Sequence, residues 1–373
     1  MEGTSRERLL GTLRGERPDR IPISLYEFDG FYDNWIYDYP EYVKILEYAK
    51  DKTDKMVFWS PPEDKAVLFY GEIAEQDIET TTWDERGSVY TKMEIKTPQG
   101  PLSSLFRQDK GVHTTWTMEY LCKDEKDAER LLSLSYIPWR PSVDSFFERD
   151  RKLGEAGILM GDLPDALCLT VERLGFTRFL TMYIDHPEVV FKLMDFFQER
   201  IYRFLEHLLK NGAVTLYRIV GPEYATPPYL RPEAFDTLVT PYDRELIDLL
   251  HRYGGHARLH SHGKIGQVLA SFLKMGIDAT DPVEPPPDGD VMLKEARAIL
   301  GDKVTLIGNI EERLLHRGKK EEVERAVRTA IEEGASGGPF ILCPTAMPLT
   351  TPLDRNIQEN IIHYIDCGIK YGT

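Results

Sequence analysis

In the second half of the chain, short apolar runs alternate with longer amphipathic stretches, and this alternation restricts the possible folds more than any other feature. Gly157-Ile158-Leu159-Met160-Gly161-Asp162 is an apolar run that ends in a small residue and an acid. Apolar residues at helical spacing follow from about Pro187 to Asn211. Residues 215–221 read as the next strand, and a helix opened by Arg231-Pro232-Glu233 runs to Tyr253 and stops at Gly254-Gly255. The pattern then tightens, with strands expected at 256–260, 277–280, 304–308 and 340–342. Helices are expected at 264–275, 291–300, 320–333 and 353–367, three of them stopped by Gly276, Gly301 and Gly334. Strands that alternate with helices of this length form parallel βα units, and six or more in succession favour a closed (β/α)8 barrel of the TIM type. A doubly wound sheet is the alternative, but no Gly-x-Gly-x-x-Gly follows any of these strands.

The first half is less regular. Ile21-Pro22-Ile23-Ser24-Leu25 reads as a first strand after a short N-terminal helix. About residues 80–118, rich in Thr, Val, Tyr and Trp and broken by Arg86-Gly87, Gln99-Gly100 and Lys110-Gly111, predict antiparallel β-hairpins. We expect one domain over residues 1–373, with this segment as an insertion near the barrel mouth.

Charge and cysteine usage exclude several classes. With 46 basic against 62 acidic residues the net charge is -16, and no Lys/Arg block is set apart, so nucleic acid and anionic lipid are not expected partners. No apolar run has the length of a membrane span. The charged opening Met1-Glu2-Gly3-Thr4-Ser5-Arg6-Glu7-Arg8 is unlike a signal peptide. Cys122, Cys168, Cys343 and Cys367 are scattered without paired spacing, which fits free thiols and a cytoplasmic location.

Polar and ionisable residues recur just after the strand candidates: Asp162, Glu223, His260 with His262, Glu284, Asn309 and Cys343. In a parallel barrel all of these fall on the C-terminal face, where barrel enzymes build their sites. His260-Ser261-His262 is the sharpest element, because residues at i and i+2 on a strand point to one face and two imidazoles can converge on one ion. Neutral imidazole suits zinc, and Cys343 is the thiolate candidate by placement. The other reading of the pair is a hydrogen-bonded couple that binds substrate or acts as acid and base. Glu223, Asp162 and Glu284 are candidate acid–base groups, Glu223 also a further metal ligand, and Tyr26, Tyr224 and Asn309 candidate substrate contacts.

The residues reached so far resemble the uroporphyrinogen decarboxylase superfamily, which includes cobalamin-dependent methyltransferases. The resemblance starts at Arg8-Leu9-Leu10-Gly11-Thr12-Leu13-Arg14-Gly15-Glu16-Arg17-Pro18-Asp19-Arg20-Ile21-Pro22. It continues through Gly276-Ile277-Asp278-Ala279, Leu306-Ile307-Gly308-Asn309-Ile310 and Thr351-Pro352, and it implies the (β/α)8 barrel and a homodimer. True decarboxylases carry an arginine-containing segment after the first strand that grips porphyrinogen carboxylates. Here the chain reads Tyr26-Glu27-Phe28-Asp29-Gly30-Phe31-Tyr32-Asp33-Asn34-Trp35, so a polyanion would meet like charge. The methyltransferase branch resembles this chain better, since its zinc site uses a His-x-Cys-Gly strand end and His260-Ser261-His262-Gly263 falls on that segment. Its second zinc cysteine corresponds to Ala346 in Cys343-Pro344-Thr345-Ala346-Met347, with Cys343 three residues earlier.

The resemblance therefore implies zinc-dependent methyl transfer between a small molecule and a corrinoid, free or on a partner corrinoid protein, with zinc on His260, His262 and Cys343. The alternatives are a metal-free decarboxylase or lyase acting on a small carboxylate, and a ligand-binding barrel without catalysis.

Overall fold

The computed structural model describes residues 3–28, 30, 31, 35–110, 112, 114–346 and 351–373. Asp29, Tyr32, Asp33 and Asn34 of the acidic and aromatic segment, and Met347, lie outside the described residues. The described chain packs as two compact units, a finer division than the single expected span. One comprises Met1–Ser60, Val143–Leu163 and Ala213–Thr373; the other comprises Pro61–Ser142 and Pro164–Gly212.

The first unit is built on a curled parallel sheet of seven strands, paired in chain order. They are β1 (Lys55–Trp59), β2 (Gly157–Pro164), β3 (Leu216–Val220), β4 (His256–Ser261), β5 (Ala279–Pro282), β6 (Thr305–Ile310) and β7 (Phe340–Pro344). Six of the expected strands recur within two residues of their predicted ends. β1 is new: its five residues are buried but for the half-buried Phe58, a short apolar run between Asp54 and Pro61-Pro62. The helix expected at 231–253 is two helices, Pro232–Leu238 and Thr240–Arg252. Pro241 has no N–H to give the carbonyl four residues back, so one helix ends and a second starts around it. The helix expected at 264–275 begins only at Leu269.

Residues 21–25 meet both ends of this sheet. Ile23 pairs in parallel with Leu342 of β7, where Ser24 N–H donates to Leu342 O at 2.8 Å and Leu342 N–H donates to Pro22 O at 2.9 Å. On the other side the Asp54 N–H, one residue before β1, donates to Ile23 O at 2.7 Å. The Asp54 carboxylate fixes this junction. It accepts from Ile23 N–H at 2.9 Å and from Arg8 Nη1, Arg20 Nη1 and Ser5 Oγ, each at 2.7 Å. Arg8 and Ser5 stand on the helix Ser5–Leu13, whose start is secured by a Thr4/Glu7 capping box. Leu9 and Leu13 of that helix enter a buried apolar cluster with Met56, Ile158, Met160, Leu216, Ile307, Ile341 and Cys343.

The second unit contains the antiparallel segment. Ile78–Glu85, Ser88–Thr97, Gly100–Asp109 and Thr115–Glu119 form a four-stranded meander. Arg86 and Gly87, at φ 53° and 84°, make the two-residue turn whose twist matches a hairpin. A three-stranded sheet of Val67–Leu68, Gly71–Glu72 and Ile137–Pro138 and the long helix Pro187–Lys210 belong to the same unit. No helix among the described residues is long and apolar enough to cross a membrane.

Replacing Asp54 by Ala leaves the buried Arg8 guanidinium with Asp19 alone and takes the acceptor from Arg20 and from the buried Ile23 N–H, so we predict a loss of about 3 kcal/mol in unfolding free energy. Urea denaturation of Asp54→Ala beside wild type measures it; a loss near zero would show that the junction does not depend on this carboxylate.

Candidate active site

β4 carries Arg258 and His260 two residues apart, so both side chains leave the same face of the strand. Asp281 on β5 stands in register with His260. Its carboxylate accepts from Arg258 Nε and Nη2, both at 2.6 Å, and from His260 Nδ1 at 2.8 Å. Arg258 and Asp281 are almost completely buried, and the third guanidinium nitrogen reaches the Met160 sulfur at 3.5 Å. Burial alone would push the Asp281 carboxyl up. The charges and hydrogen bonds of Arg258 and His260 outweigh it and hold Asp281 well below the usual carboxylate range.

His262 lies one residue past the end of β4. Its Nδ1 donates to Glu284 Oε1 at 3.0 Å, and Glu284 Oε2 accepts from Gly263 N–H at 2.7 Å. The two imidazoles stand edge to face, with ring centroids 4.6 Å apart and planes at 86°. Burial works to lower the His262 pKa, but the Glu284 hydrogen bond and charge, with Asp281 and Glu223, raise it above the ordinary histidine value. Burial likewise opposes ionisation of Glu284, and the bonds from His262 and Gly263 hold its pKa below the usual range. Because each Nδ1 is committed to a carboxylate, each Nε2 is the nitrogen left to meet a ligand, and no hydrogen bond to it is formed among the described residues.

A second arginine stands beside the first, since Arg218 on β3 is in register with Arg258. Arg218 Nε donates to Asp162 Oδ1 at 2.8 Å, while Nη1 donates to the Tyr26 hydroxyl at 3.0 Å and to Glu27 Oε1 at 3.1 Å. Burial opposes the Arg218 charge, and the bond to Asp162 more than offsets it. Burial and the Asp281 charge raise the Tyr26 phenol above its ordinary value, and its ring lies 6.2 Å from that of His260. Both site arginines are thus fully engaged by this chain's own acids.

His260, His262, Glu284, Asp162 and Tyr26 are brought together as one charge network. Glu223 accepts from its own loop through Gly221 N–H at 3.2 Å, and its charge acts on His262. Tyr224 lies half-buried beside it in the turn Pro222–Ala225. Asn309 Nδ2 donates to Val283 O at 3.0 Å and so braces the loop after β5.

Cys343 is placed differently from the role expected of it. It is 1% exposed in the apolar cluster, and burial pushes its thiol up to about 12. Among the described residues no three His, Cys, Asp or Glu side chains are grouped so as to hold a metal ion. The carboxylate-anchored imidazoles have the form of metal ligands, but the third donor is not with them, so the donor set does not fit the three-ligand zinc site.

Sequence reading missed Arg218, Arg258, Asp281 and Asp243. For the arginines a signal existed: each stands inside a strand expected to be buried, where a charge requires an acid nearby. Asp243, in the first turn of the helix Thr240–Arg252, is fully buried, and neither carboxyl oxygen receives a hydrogen bond among the described residues. Burial first, and the Glu223 charge second, raise its pKa well above the carboxylate range.

A parallel βα sheet with its polar network at the strand ends is an α/β fold of the TIM-barrel type. A solved structure described as a methyltransferase from Methanosarcina mazei shares it, with a TM-score of 0.63 over 99% of both chains at 14% identity. The family model for uroporphyrinogen decarboxylase (URO-D) matches residues 166–358, about half of the chain, and this chain belongs to that family. Among curated relatives, a uroporphyrinogen decarboxylase of Geobacter metallireducens is 28% identical over 56% of this chain and 58% of its own length. One of Prochlorococcus marinus (strain MIT 9211) is 27% identical over 90% of this chain and 89% of its own. A chloroplastic relative from rice is matched over only 47% of its length, so the chain spans about half of several relatives it resembles.

Two outcomes test these electrostatics. Glu284→Gln removes the main group that raises the His262 pKa, so its imidazole should titrate at lower pH than in wild type, as followed by NMR of the ring protons; an unchanged midpoint would contradict the pairing. Asp243 has a folded pKa above its unfolded value, so it takes stability away as pH rises past the unfolded value of about 3.9. Asp243→Asn should therefore gain about 1 kcal/mol at pH 7 and nothing near pH 3 in denaturant titrations.

Proposed function

We propose that this chain is a methyltransferase-like enzyme that moves a methyl group from a small, uncharged methoxy compound, with His262 as the proton donor to the departing oxygen. The observation that carries this reading is the pair of imidazoles 4.6 Å apart, each anchored through Nδ1 by a carboxylate. A methoxy carbon–oxygen bond breaks with its electron pair left on oxygen, and that oxygen needs a proton. His262, with its pKa raised by Glu284, is charged in a larger fraction of molecules near neutrality and gives that proton from Nε2. His260, buried and aligned by Asp281, orients the same oxygen. The methyl group leaves to a nucleophile from outside this chain, since the Cys343 thiol is neutral and buried. A reduced corrinoid, free or on a partner protein, supplies that nucleophile in the reading the family resemblance supports. Zinc has no part in these steps.

The names of the curated relatives support a second reading, loss of carbon dioxide from a small carboxylate with the same imidazolium protonating the carbanion. Arg218 and Arg258 argue against it, because both are held by internal acids and neither is left to bind a substrate carboxylate.

The test supplies the protein with cob(I)alamin and a panel of methoxy compounds and follows formation of methylcobalamin by its visible spectrum. We expect turnover with at least one donor and a loss of about 100-fold or more in His262→Ala. The rate should fall as pH rises through the raised His262 pKa. Absence of methyl transfer from every donor, with carbon dioxide released from small carboxylates instead, would sink the methyltransferase reading in favour of the second.

A further inference from the structure

In the unit formed by Pro61–Ser142 and Pro164–Gly212, the helix Pro187–Lys210 buries a guanidinium that forms no ion pair among the described residues, the neighbouring Glu199 acting on it only through its charge. Arg200 is 4% exposed. Its guanidinium carbon lies 3.9 Å from the Phe196 ring centroid and 4.3 Å from that of Tyr136. Nη2 donates to Leu134 O at 3.4 Å, and among the described residues no carboxylate comes within ion-pair distance. The Tyr136 hydroxyl is also buried, and it has no hydrogen-bond partner among the described residues.

A guanidinium carries five N–H donors in one plane. Aromatic faces attract the cation but accept none of those in-plane hydrogens in the way an anion does. Buried charges are ordinarily paired, and burial without a partner already lowers the Arg200 pKa to about 10.

Arg200 lines a cavity of about 360 Å³, of the size that holds a small organic molecule. Leu68, Ile73 and Leu134 supply an apolar wall, and Lys96 and Thr97 add a cation and a hydroxyl. Two acids also face the cavity. Glu72 is paired with Lys65 at 2.8 Å, and neither Glu72 nor Asp77 is within ion-pair reach of Arg200.

We propose that this cavity is a binding site for a small organic anion, whose carboxylate or phosphate group pairs with Arg200 while its apolar body rests on Leu68, Ile73 and Leu134. The site lies within the second unit and uses none of the groups assigned to methyl transfer, so its test is independent of that reading.

Isothermal titration of the intact chain with butyrate and with inorganic phosphate, each against sodium chloride at matched ionic strength, measures the site directly. We expect saturable binding of at least one of them, and which one binds identifies the preferred head group. Arg200→Gln should weaken it about 10-fold or more. Ala74→Trp, which fills the cavity from its exposed wall and leaves Arg200 in place, should do the same and keeps the test valid if the first variant folds poorly. No saturable binding of either anion by the wild type, or binding unchanged in Ala74→Trp, overturns the proposal.

Discussion

The Asp281 carboxylate lies where three demands meet. It neutralises Arg258, a full guanidinium buried in the sheet interior, and it sets the direction of the His260 ring. Its charge also helps to raise the His262 pKa. Remove it in thought and Arg258 becomes an uncompensated buried charge, the costliest kind of defect a core can hold. The neighbouring Arg218 raises the stakes, because like charges in register on adjacent strands repel. Each arginine has its own acid, Asp281 for one and Asp162 with Glu27 for the other, and the Tyr26 ring lies 5.8 Å from both guanidinium carbons. The result is an interior lattice of charges in near balance.

That balance separates this site from one suited to a polyanion. A chain that binds many carboxylates needs arginines whose donors are free, whereas here the donors are spent internally. The ionisable side chain left to act on a ligand is His262, whose pKa the Glu284 carboxylate raises. Family membership and site chemistry therefore say different things: the first gives the scaffold, the second the groups that are left to meet a ligand.

Much of the first unit was legible from residue order. Glycine stops after amphipathic stretches and short β-branched runs gave strands β2, β3, β4 and β6 nearly to their ends, and His260 with His262 marked the strand end that carries the candidate site. What failed had physical reasons. β1 is only five residues long and lies between a charged turn and a Pro-Pro pair, so periodicity had too few residues to work on. Pro241 is compatible with the first turn of a helix and with the break before it, and pattern alone does not choose. The thiol of Cys343 has the position of a ligand along the chain but not the environment of one, since burial among methionines and leucines is invisible in spacing. Asp281 and Asp243 look like ordinary polar residues near prolines until their neighbours are known.

The segment at 21–25 has a consequence beyond its role in holding the N-terminal helix. A parallel sheet with open flanks would present two rows of unpaired amides, each a template on which another chain could add a strand. Here the same few residues hydrogen-bond to Leu342 of β7 on one side and to Asp54, one residue before β1, on the other. The two sides of the sheet therefore share one short stretch of chain where they meet. A nick there would release both contacts at once, leaving the Leu342 and Asp54 amides without their partners.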